Sequence, residues 1–129
     1  MSKDLCLVYM TARHATPARR LARVLVEERL AACVNILGPI TSVYRWQGQI
    51  EQGREVALLA KTRATLVPQL QARVRELHDY EVPCVVALPI QGGNPDFLAW
   101  LWAETAPVNR AGRPASRSAA GSTRAASRR

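Results

Sequence analysis

The chain is 129 residues long, 48% hydrophobic and 22% charged, which fits one domain with a single modest core and is too short for two ordinary ones. No apolar run approaches the roughly 18 residues that cross a bilayer, and Met1 to Met10 carries Asp4 and too short an apolar stretch for a secretory leader, so the expected location is cytoplasmic. The formal charge of +8 sits mostly at one end: residues 1–106 hold 12 Lys and Arg against 10 Asp and Glu, whereas 107–129 hold six Arg and no acid, so the folded part is not a basic nucleic-acid-binding domain.

Leu5 to Met10, LCLVYM, is a short apolar run with β-branched and aromatic members and reads as a buried strand. A helix follows, with Thr16 placed to cap and Pro17 suited to the first turn, running to about Ala32. Ala18, Leu21, Ala22, Leu25 and Ala32 share one face at about 100° per residue, with Arg29 near its middle. The stem of Arg29 can lie on apolar surface with its charged head at a helix C-terminus, where positive charge is favoured.

Cys33 to Thr62 reads as two long strands joined at Trp46-Gln47-Gly48-Gln49, where Gly48 can adopt the positive φ of a tight hairpin. Gly38-Pro39 and Gln52-Gly53 interrupt the alternation and predict a bulge or bend in each arm. Ile40, Ser42, Tyr44 and Trp46 share one side of the first arm; Val56, Leu58 and Ala60 share a side of the second, with Glu55 and Lys61 opposite. In a regular arm Glu55 and Lys61 stand roughly 20 Å apart at ~3.3 Å per residue, too far for an ion pair within one chain.

A second helix is expected over about Leu66 to His78, capped by Thr65, with Leu66, Leu70, Val74 and Leu77 as its buried stripe. Cys84 to Ile90 is a last buried strand whose Pro89 points to an unpaired end or a sheet edge. Asn94-Pro95-Asp96 opens a terminal helix bearing Phe97, Leu98, Trp100, Leu101 and Trp102; Trp100 and Trp102 read as a clamp on the sheet or an interface. The order β-α-β-β-α-β plus a C-terminal helix is α+β and ferredoxin-like, an antiparallel sheet with helices on one face. The domain is expected to span 1–106. Residues 107–129, built from Arg, Ala, Ser and Gly, read as a disordered tail without the aromatics that stack on bases, so no specific nucleic-acid partner is expected. The three cysteines, Cys6, Cys33 and Cys84, form no C-x-x-C pair and read as reduced thiols.

The run LAACVNILGPITSVYRWQGQIEQGREVALLAKT from Leu30 to Thr62, then L-H-x-Y-x-x-P at Leu77 to Pro83 and F-L-A-W-L at Phe97 to Leu101, resembles the CutA family of divalent-cation tolerance proteins over about residues 5 to 104. The resemblance implies a homotrimer similar in plan to the PII signalling proteins, hairpins paired between chains, clefts between subunits, and a link to copper and other divalent cations. In members with proposed copper ligands a Cys closes the first strand and two adjacent His precede Pro-Tyr. The matching positions here are Met10, Leu77 and His78, with Asp79 in place of the Pro and Cys84 in place of an acid after the later Pro.

Met10, His78 and Cys84 form the candidate metal set, a thioether, an imidazole and a thiolate of the kind that prefers Cu(I); they can equally fill core space or hydrogen-bond locally. The implied cleft gathers Trp46, Glu55, Lys61 and Tyr80 with Arg29 and Asn35 nearby, the makeup of a small-anion or metabolite pocket. Tyr44 and Trp46 read also as cross-strand packing residues and Lys61 as an interfacial ion-pair partner. Cys84 with His78 lacks the strained turn and polar pocket of a nucleophilic site, so no enzyme is expected. The resulting expectation is a cytoplasmic, non-enzymatic homotrimer of the response to divalent metal ions, binding copper, another divalent cation or a small ligand at its clefts. The alternative is a trimeric scaffold that holds a partner protein without metal.

Overall fold

Period-two alternation and tight turn chemistry build a four-stranded sheet, seen in a computed structural model that describes residues 4–105; the expected tail, 107–129, lies outside the described residues. The elements are β1 (Leu5–Ala12), α1 (Ala15–Glu27), β2 (Cys33–Trp46), β3 (Gln49–Arg63), a 3₁₀ turn (Ala64–Leu66), α2 (Val67–Leu77), β4 (Val85–Ile90) and α3 (Pro95–Glu104). The strand order is β2-β3-β1-β4, every pair antiparallel, which is the expected ferredoxin-like α+β arrangement.

One face of the sheet carries the main core. Cys6, Val8, Met10 and Ala12 of β1 and Val56, Leu58 and Ala60 of β3 meet Ala18, Leu21 and Leu25 of α1 and Leu70 and Val74 of α2. At about 25 cal/mol per Å² of apolar surface removed from water, this layer is the dominant stabilising contribution. The terminal helix packs on the opposite face at one end, where Leu101 is fully buried against Leu5 and Ala32. No helix among the described residues is long and apolar enough to cross a membrane.

Helix α1 starts at Ala15 and ends at Glu27, earlier at both ends than the Thr16-capped, Ala32-terminated helix expected. His14, not Thr16, is the N-cap, and Pro17 falls in the first turn, where its missing amide hydrogen is of no consequence. The early stop has a local cause. Arg29 sits at φ 62°; the Leu30 amide donates to Leu25 O at 2.9 Å and the Arg29 amide to Val26 O at 3.0 Å. That is a Schellman closure, in which a left-handed residue, usually Gly, turns the chain off the helix.

The hairpin turn is a two-residue connection, Trp46 pairing with Gln49 while Gln47 and Gly48 take φ of 50° and 81°. Both positive values match the strand twist as a type I′ turn does. Between Ile36 and Gly38 the register slips, leaving Leu37 as the extra residue of a bulge, with Gly38 at φ 112°. At the second expected interruption there is no bulge: Val43 pairs with Gln52 and Ser42 with Gly53 in regular register. Gly53 carries no bulge; it keeps negative-φ backbone and only omits a side chain.

Helix α2 is preceded by a 3₁₀ turn that takes up Thr65, so Leu66 rather than Thr65 is its N-cap, and His78 lies just past its end in extended backbone. The arm β4 is less buried than expected. It pairs with β1 alone and leaves Val86 and Leu88 52% and 46% exposed, because alternation puts them on the face away from α1 and α2. Asn94 caps α3 as expected, its Oδ1 accepting from the Asp96 amide at 3.1 Å.

Candidate functional site

The end of β1, the loop after α2 and the arms of the β2–β3 ribbon converge on one cleft. Its floor is Glu55, only 6% exposed, which the period-two pattern of β3 puts on the face away from α1 and α2. Ser42, across the ribbon, donates its hydroxyl to Glu55 Oε1 at 2.6 Å, and Tyr80 donates its phenol to Oε2 at 2.8 Å. A buried carboxylate needs such donors, since stripping it of water without them is strongly unfavourable.

The loop that delivers Tyr80 is held by its own neighbours. The His78 ring is tied down at both nitrogens: Nδ1 accepts from the Tyr80 amide at 3.0 Å, which leaves Nε2 to carry the hydrogen and donate to Thr11 O at 2.7 Å. The two rings lie 4.6 Å apart at 49°. Arg13 bonds Asp79 Oδ2 at 3.0 Å and places its guanidinium carbon 5.0 Å from the centroid of Tyr80. Two backbone anchors, one ion pair and one phenol thus set the position of the seven-residue connection between α2 and β4.

The cleft has a volume of about 540 Å³, within the range of small-molecule sites. Its walls are Tyr44 and Trp46 on β2, Glu51, Gly53 and Arg54 on β3, and Arg13, Tyr80 and Glu81.

The expected cleft residues divide between three places. Trp46, Glu55 and Tyr80 meet in this cleft. Lys61 and Asn35 meet elsewhere on the ribbon: Lys61 Nζ donates to Asn35 Oδ1 and lies 3.8 Å from Cys33 Sγ, as the Cys33–Lys61 register dictates. Arg29 joins neither. Its guanidinium donates to Ala103 O at 2.9 Å, at the C-terminus of α3 rather than of its own helix, where the end of the helix dipole favours positive charge.

Arg63 serves the same helix end. It donates to Trp102 O at 2.8 Å and stacks with its guanidinium carbon 3.5 Å from the Trp102 ring centroid. Burial first, and then the neighbouring Arg29 charge, pull the Arg63 guanidinium below its ordinary pKa.

Met10, His78 and Cys84 occupy different settings within one chain. Met10 is fully buried in the main core beneath α1 and α2, and both His78 nitrogens are engaged by the main chain. Cys84 is half-buried just before β4. Among the described residues no three His, Cys, Asp or Glu side chains stand close enough to hold a metal ion.

Sequence reasoning missed Arg13, Glu51, Arg54 and Glu81, and read Tyr44 only as packing. Glu51 was within reach of it, since a two-residue turn at Gln47-Gly48 makes Tyr44 and Glu51 partners. Arg13 carried no local signal: it reaches the cleft because β1 runs on to Ala12, two residues past the apolar run.

Residues 6–104 match the family described as CutA1 divalent ion tolerance protein. The divalent-cation tolerance protein CutA of Thermus thermophilus is 50% identical over 95 residues, 74% of this chain and 92% of its own length. Mouse protein CutA is 45% identical over 104 residues, 81% of this chain; the chain spans 59% of that relative's length. The solved Thermus thermophilus structure superposes with a TM-score of 0.77 at 48% identity, covering 79% of this chain and 99% of that one. The chain belongs to the CutA1 divalent ion tolerance family.

Proposed function

We propose that the protein acts in tolerance of divalent metal ions, copper among them, as a homotrimer whose clefts, closed between subunits, take a metal ion or a small ligand. The observation that carries this reading is the family match across residues 6–104, the whole of the described fold but for its first two residues and its last.

The ribbon supports the assembly. Its outer positions leave Leu37, Val43 and Ile50 56%, 65% and 63% exposed, and β4 and α3 add Val86, Leu88, Phe97 and Trp100. Apolar side chains on a long two-stranded arm and on an edge strand invite coverage by another chain. Closure of three chains would bring Lys61 of one ribbon and Glu55 of another within reach of a shared crevice. The reading is of a binding protein rather than an enzyme.

The test is complementation. In a bacterial strain lacking its own member of the family, expression of the full chain is expected to restore growth in graded copper(II) and zinc(II), with the purified protein sedimenting at three chains. Growth no better than that of the empty vector, or a stable single chain at micromolar concentration, overturns the proposal.

A further inference from the structure

We infer that the Glu55 cleft binds an organic cation, a protonated or quaternary amine with a compact apolar body. The inference rests on the preceding reading only in treating the cleft as a ligand site.

Charge, ring content and spacing agree on this class. Three rings, those of Tyr44, Trp46 and Tyr80, line the cleft. Aromatic faces attract ammonium and guanidinium groups through the ring quadrupole. The cleft already displays the interaction: the Arg13 guanidinium lies over the Tyr80 ring at 5.0 Å.

Three carboxylates, Glu51, Glu55 and Glu81, stand among those rings against the guanidinium groups of Arg13 and Arg54, and Arg13 is matched by Asp79 at 3.0 Å. An anionic ligand would have to approach Glu55 at the floor, where burial amplifies the repulsion between like charges. The carboxylates are also too dispersed for a bare ion, which needs oxygen ligands converging at about 2.0–2.6 Å; no three acidic, His or Cys side chains among the described residues cluster that closely. A cation several ångströms wide can touch rings with its body and acids with its rim. The volume of about 540 Å³ accepts one.

The probe is benzyltrimethylammonium, titrated calorimetrically into the full-length protein. Saturable heat at one site per chain is expected, competed by tetramethylammonium and not by uncharged tert-butanol of similar size. Trp46→Leu is expected to weaken binding at least tenfold and Glu81→Gln, an exposed position whose change leaves folding intact, about threefold. Equal competition by tert-butanol, tighter uptake of benzenesulfonate, no saturable heat, or unchanged affinity in both variants overturns the inference. Metal tolerance in cells is a separate readout, so its failure and the failure of amine binding are told apart.

Discussion

The Tyr80 phenol donates to Glu55 at 2.8 Å across 25 positions of sequence, and this one bond closes the loop after α2 onto the β2–β3 ribbon. Because Glu55 is only 6% exposed, the bond is to a buried charge, where an unmade partner is expensive. Tyr80→Phe is therefore expected to destabilise the protein by about 1–3 kcal/mol, while the same change in a Glu55→Gln background has a smaller effect. Urea unfolding of the four proteins gives the coupling energy. A value near zero would mean that the carboxylate is satisfied without the phenol.

Arg29 offers a test that separates backbone from side chain. Its φ of 62° is the left-handed region, where a Cβ is disfavoured by about 1–2 kcal/mol, and its guanidinium bonds Ala103 O at 2.9 Å. Arg29→Ala loses the bond and keeps the strain. Arg29→Gly loses the bond and relieves it, so the Gly variant is expected to be about 1 kcal/mol more stable than the Ala variant. Equal melting of the two would show that Arg29 bears no backbone strain.

The same residue shows where the sequence stopped being legible. Val56, Leu58 and Ala60 announced the core face of β3 by simple alternation, Gly48 announced the turn, and Asn94-Pro95-Asp96 announced α3, because each signal is local and physically narrow. The end of α1 was hidden because an Arg occupies the position that a Gly ordinarily marks. The cleft was half hidden for a different reason. Trp46, Glu55 and Tyr80 are polar or aromatic residues on readable faces, but Arg13, Asp79 and Glu81 enter only through how far β1 extends and where the loop after α2 folds back. Met10 read as a ligand or, more simply, as core sulfur, and its strand register places it in the main core.

Two buried threonines are expected to respond oppositely to the same substitution. Thr62 Oγ1 donates to Leu30 O at 2.7 Å, whereas Thr11 Oγ1 is buried without a hydrogen-bond partner among the described residues. Thr62→Val exchanges a bonded hydroxyl for a methyl and is expected to destabilise by about 1–2 kcal/mol. Thr11→Val removes an unsatisfied group and is expected to leave stability unchanged or raise it by up to about 1 kcal/mol. Thermal unfolding at one protein concentration compares them; destabilisation by Thr11→Val as large as that by Thr62→Val would show that the Thr11 hydroxyl is bonded in the assembled protein.

Burial at 4% exposure in the main core pushes the Cys6 thiol above its ordinary pKa of 9.0. The folded chain therefore holds this proton at pH values where the unfolded chain releases it. Below about pH 8 both states are protonated and the group adds no pH dependence. Above 9.0 the unfolded state gains by ionising, so stability falls with rising pH at up to about 1.4 kcal/mol per unit until the folded thiol also ionises. Cys6→Ala lowers stability at neutral pH through the lost contacts but lacks this slope. The stability difference between the parent chain and Cys6→Ala is thus expected to shrink between pH 8 and 10.5, measured by urea unfolding under reducing conditions. A difference that stays constant over that range would show that the thiol ionises as readily in the fold as outside it.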